Sequence, residues 1–272
     1  MANIELLEDK ANEIRKSIIK MINKSKSGHP GGSLSIADIL SALYFEEMNV
    51  NPQNPKEENR DRFVLSKGHA SPAIYATLAE KGYFNKELLD TFRSFGSILQ
   101  GHPDMKKIPG IDMSTGSLGQ GLSIANGMAC SAKISDKDYR TYVIMGDGEI
   151  QEGQIWEAAM TAAHYKLDNL CAILDNNNLQ IDGEIDKVMG IEPLDKKWEA
   201  FGWNVIKING HNFESILKGL NEAKLCKEKP SILIAKTIKG KGVSFMENKA
   251  EYHGVAPTDD ETLRALEELN KK

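Results

Sequence analysis

Two segments carry the residue types from which a cation site is built. The apolar run Tyr142-Val143-Ile144-Met145 leads straight into Gly146-Asp147-Gly148-Glu149, and the run Leu170 to Leu174 leads into Asp175-Asn176-Asn177-Asn178. Glycines let a backbone turn tightly and approach a ligand closely, so the carboxylate of Asp147 is presented at the end of its run. A hard divalent cation takes oxygen ligands, and Mg²⁺ keeps near-octahedral geometry while sharing phosphate oxygens. The Asn-rich segment can add a side-chain carbonyl and a backbone carbonyl. If the two runs are neighbouring strands, their tips lie about 5 Å apart and can share one ion. A lone Gly-Asp-Gly is more often a surface turn; the Asn cluster after the following run lowers that reading considerably.

Two further groups of residues suit the same chemistry. Thr115-Gly116-Ser117-Leu118-Gly119-Gln120-Gly121 precedes an apolar helix and resembles a loop-to-helix phosphate cradle. It lacks the Gly-Lys-Ser/Thr of a nucleotide P-loop and the spacing of a dinucleotide fingerprint. Five of the six histidines, His29, His69, His102, His211 and His253, adjoin a glycine, and only His164 falls inside a helical pattern. Imidazoles on such loops can point into a cleft and exchange protons near neutral pH, although each is also an ordinary loop or capping residue, the reading kept for His164 and His211. No His-x-x-x-His spacing appears, which argues against a histidine zinc site.

The elements that must position these groups alternate along the chain. Ile4 to Lys26 reads as a helix with Ile4, Leu7, Ala11, Ile14, Ile18 and Ile22 on one face, broken by Ser27-Gly28-His29-Pro30-Gly31-Gly32. A second helix is expected from about Ser35 to Met48. Arg62–Ser66, Tyr142–Met145, Leu170–Leu174, Val205–Ile208 and Ser231–Ala235 read as strands. Helices are expected from near Pro72, over Gln154–Tyr165 and Phe213–Cys226, and over Thr258–Asn270. Alternation of this kind predicts an α/β fold, a mainly parallel twisted sheet with helices on both faces. Ligands then sit outside the carboxyl ends of the strands. Lys67-Gly68-His69, the Asp147 loop, the Asn177 loop and Lys239-Gly240-Lys241-Gly242 all follow strand ends.

Composition narrows the classes. The 272 residues carry 34 Lys+Arg and 39 Asp+Glu, a formal charge of −5, with 40% apolar and 27% charged residues. That is globular composition, without the basic footprint of nucleic-acid binding. No apolar run reaches a membrane-span length, and the acidic amphipathic start is unlike a targeting peptide. Cys130, Cys171 and Cys226 are too scattered for a zinc ribbon or a disulfide framework and are expected as small core residues of a reduced, cytoplasmic protein.

In order, SGHPGGSLS, KGHASPAIY, QGHPD, STGSLGQGLSIANGMA, GDGEIQEGQIWEAA, LDNNNLQIDG and HGVAP resemble the motifs of transketolases, from about residue 5 to 265. The resemblance implies the diphosphate-binding domain of the thiamine-diphosphate-binding fold over residues 1–272, with thiamine diphosphate as cofactor. Asp147, Asn177 and the backbone oxygen of Leu179 would hold Mg²⁺, or Ca²⁺ in its place. His69, Gly116, Ser117, Leu118, Gly146, Gly148 and His253 would line the cofactor site with Asp147 and Asn177. His29, His102 and His253 would contact the sugar as catalytic residues. Glu152 and Glu157 match acidic residues that link paired active sites, and read equally as exposed first-turn helix carboxylates. Ser117 stands where many full-length transketolases have proline.

The same resemblance implies pyrimidine-binding and C-terminal domains that this sequence lacks, expected on a partner chain in a heterotetramer. The activity implied is transfer of a two-carbon ketol unit from a ketose phosphate to an aldose phosphate, as in the pentose phosphate pathway. Alternatives are a related transferase with another ketose, such as a branched or sulfonated sugar, and a non-catalytic regulatory subunit.

Overall fold

The computed structural model describes residues 2–181 and 183–271; Asp182, within the motif LDNNNLQIDG, lies outside them. In chain order the helices and strands are α1 Ile4–Ser25, α2 Pro30–Leu34, α3 Ala37–Ala42, β1 Arg62–Leu65, α4 Ser71–Lys81, α5 Gln120–Ile134, β2 Thr141–Gly146, α6 Gly153–His164 and β3 Leu170–Asn176. They continue with β4 Leu179–Gln180, β5 Gly183–Glu184, α7 Ile185–Val188, α8 Leu194–Ala200, β6 Asn204–Asn209, α9 Phe213–Leu225, β7 Ser231–Lys236 and α10 Asp259–Asn270.

The main sheet is wholly parallel, in the order β1-β2-β3-β7-β6. Strands β2, β3 and β7 are apolar along nearly their whole length because both of their faces are covered. One face packs Ile14, Ile18, Leu40 and Ile74 from α1, α3 and α4, together with Ile216 and Leu220 from α9. The other packs Leu122, Ala125 and Ala129 of α5, Ile155 and Ala159 of α6 and Trp198 of α8. The parallel α/β architecture with helices on both faces is therefore as the alternation predicts. Among the described residues no helix is long and apolar enough to cross a membrane.

Most expected boundaries move by a residue or two, as fraying ends do. Two differ for physical reasons. The segment expected as one helix over 35–48 is α3 followed by a wider turn over Leu43–Glu47, and a helix already begins at Pro30, inside the glycine run expected to be a break. Pro30 takes the first helical position, where its missing N–H costs nothing. Gly31 is there for close approach: a Cβ on it would meet Lys239 Cγ and the Tyr252 carbonyl oxygen, each at 2.9 Å. β3 also extends past Leu174 to Asn176, so Asp175 is a strand residue paired with Gly146 and Ala235 and not the first residue of a loop. Of the cysteines expected in the core, only Cys171 is fully buried; Cys130 and Cys226 are half-buried, and all three are free.

Candidate active site

Because β2 and β3 are neighbours with Gly146 opposite Asp175, the loops that follow them emerge side by side. Asp147 is 2% exposed. Its Oδ2 accepts the backbone N–H groups of Asn177 at 2.8 Å and Asn178 at 2.6 Å, and its Oδ1 accepts that of Gly148 at 2.9 Å. Burial, and after it the charge of Asp175, push the Asp147 carboxyl up to about 7. Such a group gains from a cation. Asn177 donates its Nδ2 to Asp175 at 3.0 Å and accepts the Leu179 N–H on Oδ1 at 3.1 Å. One carboxylate, one amide oxygen and the Leu179 carbonyl thus lie on the two adjoining loops at the strand tips, joined through the Asn177 and Asn178 backbone. Among the described residues no group of three or more acidic, His or Cys side chains is placed to hold a metal ion.

Three histidines form a wall beside this point. The rings of His29 and His69 lie 5.1 Å apart, and each lies 5.4 Å from the ring of His253. His29 precedes α2, His69 follows β1, and His253 sits in a short turn before α10. Burial, reinforced by surrounding cations, lowers their pKa values to about 4 for His29 and His253 and about 2 for His69. All three are neutral imidazoles at neutral pH. Nδ1 of His29 is buried and has no hydrogen-bond partner. His102 stands further out, exposed, over the Thr115–Ser117 loop, where a Cβ on Gly116 would meet its ring at 3.1 Å. A groove of about 460 Å³ opens there between His102, Thr115, Gly116, Ser117 and Gln120.

Several residues of this site lie in segments that the sequence marks only by their place after strand ends. Lys67 is 2% exposed and donates to the Gly32 carbonyl at 2.7 Å and to Asp175 at 2.6 Å. Asp175 also receives Ser35 at 2.7 Å and Thr237. Although burial opposes it, Lys67 keeps the Asp175 carboxyl below the ordinary carboxylate range. Lys239, also 2% exposed, donates to the Leu179 carbonyl at 3.2 Å and meets Nδ1 of His253 at 2.9 Å; burial lowers its ammonium to about 8. Glu149, 3% exposed, ties three loops together by accepting the N–H groups of Gly119 and Gly146, each at 3.0 Å, and the hydroxyl of Ser66. The cue available for the lysines was their place directly after strand ends.

Glu152 and Glu157 are both exposed, and Glu152 borders the turn at Gly119, where an added Cβ would lie 2.8 Å from its Cβ. Glu152 precedes the first residue of α6, and Glu157 belongs to its second turn, not to its first as expected. His164 is an exposed residue at the end of α6. His211, expected as a simple loop or capping residue, is instead bonded to Asp38 at 2.7 Å.

Residues 7–270 match the family described as transketolase, thiamine diphosphate binding domain. The chain belongs to the transketolase family. It is 48% identical over 269 residues to an apulose-4-phosphate transketolase subunit of Phocaeicola vulgatus, a match covering 99% of this chain and 95% of that one. It is 50% identical over 266 residues to the 6-deoxy-6-sulfo-D-fructose transketolase subunit SqwG of a Clostridium species, covering 98% and 97% of the two. The crystal structure of transketolase from Campylobacter jejuni superposes with a TM-score of 0.93 at 38% identity, covering 99% of this chain and 43% of that one. The chain therefore spans nearly the whole of the subunit relatives and less than half of that transketolase. Its fold is that of the family's thiamine diphosphate-binding domain, and thiamine diphosphate is the cofactor that goes with it.

Proposed function

We propose that this chain is the N-terminal subunit of a two-chain transketolase, which moves a two-carbon ketol unit from a ketose to an aldose and works only with a complementary subunit. The observation that carries this reading is the Asp147 carboxylate bonded to the Asn177 loop, with Lys239 on the Leu179 carbonyl, beside two buried lysines and three neutral histidines. The donor set suits a divalent cation and a diphosphate: oxygen ligands for the metal, and Lys67 and Lys239 as point charges for phosphate oxygens. The tight approach of the Gly68 loop to Gly116, where a Cβ would lie 2.7 Å from the Gly116 nitrogen, suits a backbone cradle, and the free Nδ1 of His29 suits a bound polar group.

Thiamine diphosphate would supply, when bound, the electron sink that lets the C–C bond beside a ketose carbonyl break and re-form. Asp147, Asn177 and Leu179 hold the metal, and Gly116, Ser117, Leu118, Gly146, Gly148 and His69 line the cofactor. His29, His102 and His253 face the sugar. Held neutral, His29 and His253 can each donate one ring N–H to oxygen that gains negative charge and accept a proton on the other nitrogen. A charged Lys239 donates to Nδ1 of His253 and thereby leaves the ring proton of neutral His253 on Nε2.

Two relatives whose names specify apulose-4-phosphate and 6-deoxy-6-sulfo-D-fructose favour a second reading of the substrate, a branched or sulfonated ketose in place of an ordinary ketose phosphate. Co-expression with a complementary subunit, followed by a transfer assay over ordinary, branched and sulfonated ketoses, tests both. Turnover is expected from the pair and none from this chain alone. Robust ketol transfer by this chain alone ends the two-chain reading, and failure of the pair to bind thiamine diphosphate ends the catalytic one.

A further inference from the structure

Lys239 reaches the site from a loop without regular structure, yet the backbone on both sides of it is fixed from one buried point. Asp38 of α3, 6% exposed, receives both terminal nitrogens of Arg15 from α1, at 2.9 and 2.6 Å. The remaining guanidinium nitrogen, Nε, donates to the Lys241 carbonyl at 3.0 Å. On the other side, Asp38 Oδ2 lies 2.7 Å from Nδ1 of His211, whose Nε2 accepts the backbone N–H of Ile238 at 2.8 Å. Because Nε2 accepts, the ring proton of neutral His211 sits on Nδ1 and is donated to Asp38.

We propose that Arg15, Asp38 and His211 form a clamp that positions Lys239, gripping the N–H just before it and the carbonyl two residues after it from a single carboxylate. Each part fits the role. Arg15 offers a planar fork that binds a carboxylate bidentately and still has a third donor. Against the burial that would raise it, Arg15 and His211 hold the Asp38 carboxyl down to about 2, so the anchor stays ionised. The Gly240 N–H donates to the Gly31 carbonyl at 3.0 Å, which seats the loop on α2. These are positioning residues, since none touches the strand-tip oxygens or the histidine wall. The consequence for cofactor binding rests on the proposed function above; the positioning itself does not.

The test uses the full-length chain and measures how fast the Lys239 amine is acylated, read by peptide mass spectrometry against an exposed lysine such as Lys20. His211→Phe removes both bonds and is expected to raise Lys239 labelling at least fivefold. His211→Gln places an amide oxygen near the Nε2 position and is expected to restore near-normal protection. His211→Asn reaches only the Nδ1 position, keeps Asp38 company and is expected to leave Lys239 labile. Equal labelling in the Asn and Gln variants, whether high or low, overturns the clamp, and it can be read even if the Phe variant does not fold. Thiamine diphosphate affinity is measured alongside: exposed Lys239 with unaltered affinity counts against the proposed role of Lys239 and not against the clamp.

Discussion

The carboxylate of Asp147 and the backbone N–H of Asn177 are 2.8 Å apart although they are 30 residues apart in sequence. The contact follows from β2 and β3 being adjacent parallel strands, so the loops at their ends cannot avoid each other. It ties the one carboxylate of the expected cation site to the backbone of the residue whose side-chain oxygen is expected to join it.

Replacing Asp147 with alanine should therefore abolish metal-dependent thiamine diphosphate binding, weakening it by at least a hundredfold in isothermal titration calorimetry on the complete assembly. The cation would lose its only charged protein ligand, and the N–H groups of Asn177 and Asn178 would lose their acceptor. Unchanged affinity removes Asp147 from the site.

Lys67→Met should destabilise the fold by about 3–5 kcal/mol, because it leaves the Asp175 carboxylate buried without its cation. Urea unfolding measures the loss. Adding Asp175→Asn should recover part of it, since the stranded charge is then gone while one of the Ser35 and Thr237 hydroxyls, which donate to different oxygens of Asp175, still has an acceptor. A loss below about 1 kcal/mol would mean that solvent already reaches the pair.

Much of this was legible before the structure. Continuous apolar runs alternating with helical patterns fixed a parallel sheet, and punctuation by glycine, Asp and Asn marked the carboxyl ends where Asp147 and Asn177 meet. The missed features share one cause: they depend on partners distant in sequence. Asp175 looks like the end of a strand because a charge seldom continues an apolar run, and the ammonium of Lys67, 108 residues away, with the hydroxyls of Ser35 and Thr237, makes it tolerable there. Lys67 and Lys239 are marked only by their place after strand ends; that they are buried follows from partners far along the chain. Gly31 and Gly32 look like a break because glycine is a poor helix former, and only the nearness of Lys239 and Tyr252 makes a bare backbone necessary at Gly31.

The histidine wall should make stability depend on pH. His29, His69 and His253 have folded pKa values below the ordinary value of 6.5. Between pH 6.5 and those values the unfolded chain binds protons that the folded chain refuses, so stability falls as pH falls. Asp147, raised to about 7, pulls the other way over part of this range. The clean measurement is thus a difference: between pH 7 and 5, His69→Gln should lose less stability than the unmodified chain, by up to about 1.4 kcal/mol per pH unit. Parallel pH profiles would mean that His69 is protonated freely in the fold.

Two glycines of α5 should respond to alanine with opposite signs. Gly121, in the first turn, packs against the end of β1 so closely that a Cβ would lie 2.7 Å from the Ser66 Cα. Backbone cannot give way as a flexible side chain can. Gly121→Ala should cost about 1–3 kcal/mol and should also weaken thiamine diphosphate binding, because Ser66 and Gly119 are both held by Glu149 at the mouth of the site. Gly127 lies on the exposed side of the same helix with nothing within 4 Å of an added Cβ. Gly127→Ala removes only backbone freedom from the unfolded chain and should raise stability by about 0.5–1 kcal/mol, with cofactor affinity unchanged. Thermal unfolding and calorimetry of the two variants separate a helix seated tightly against the cofactor loops from one that merely tolerates glycine, and equal effects from the two would show that α5 is not so seated.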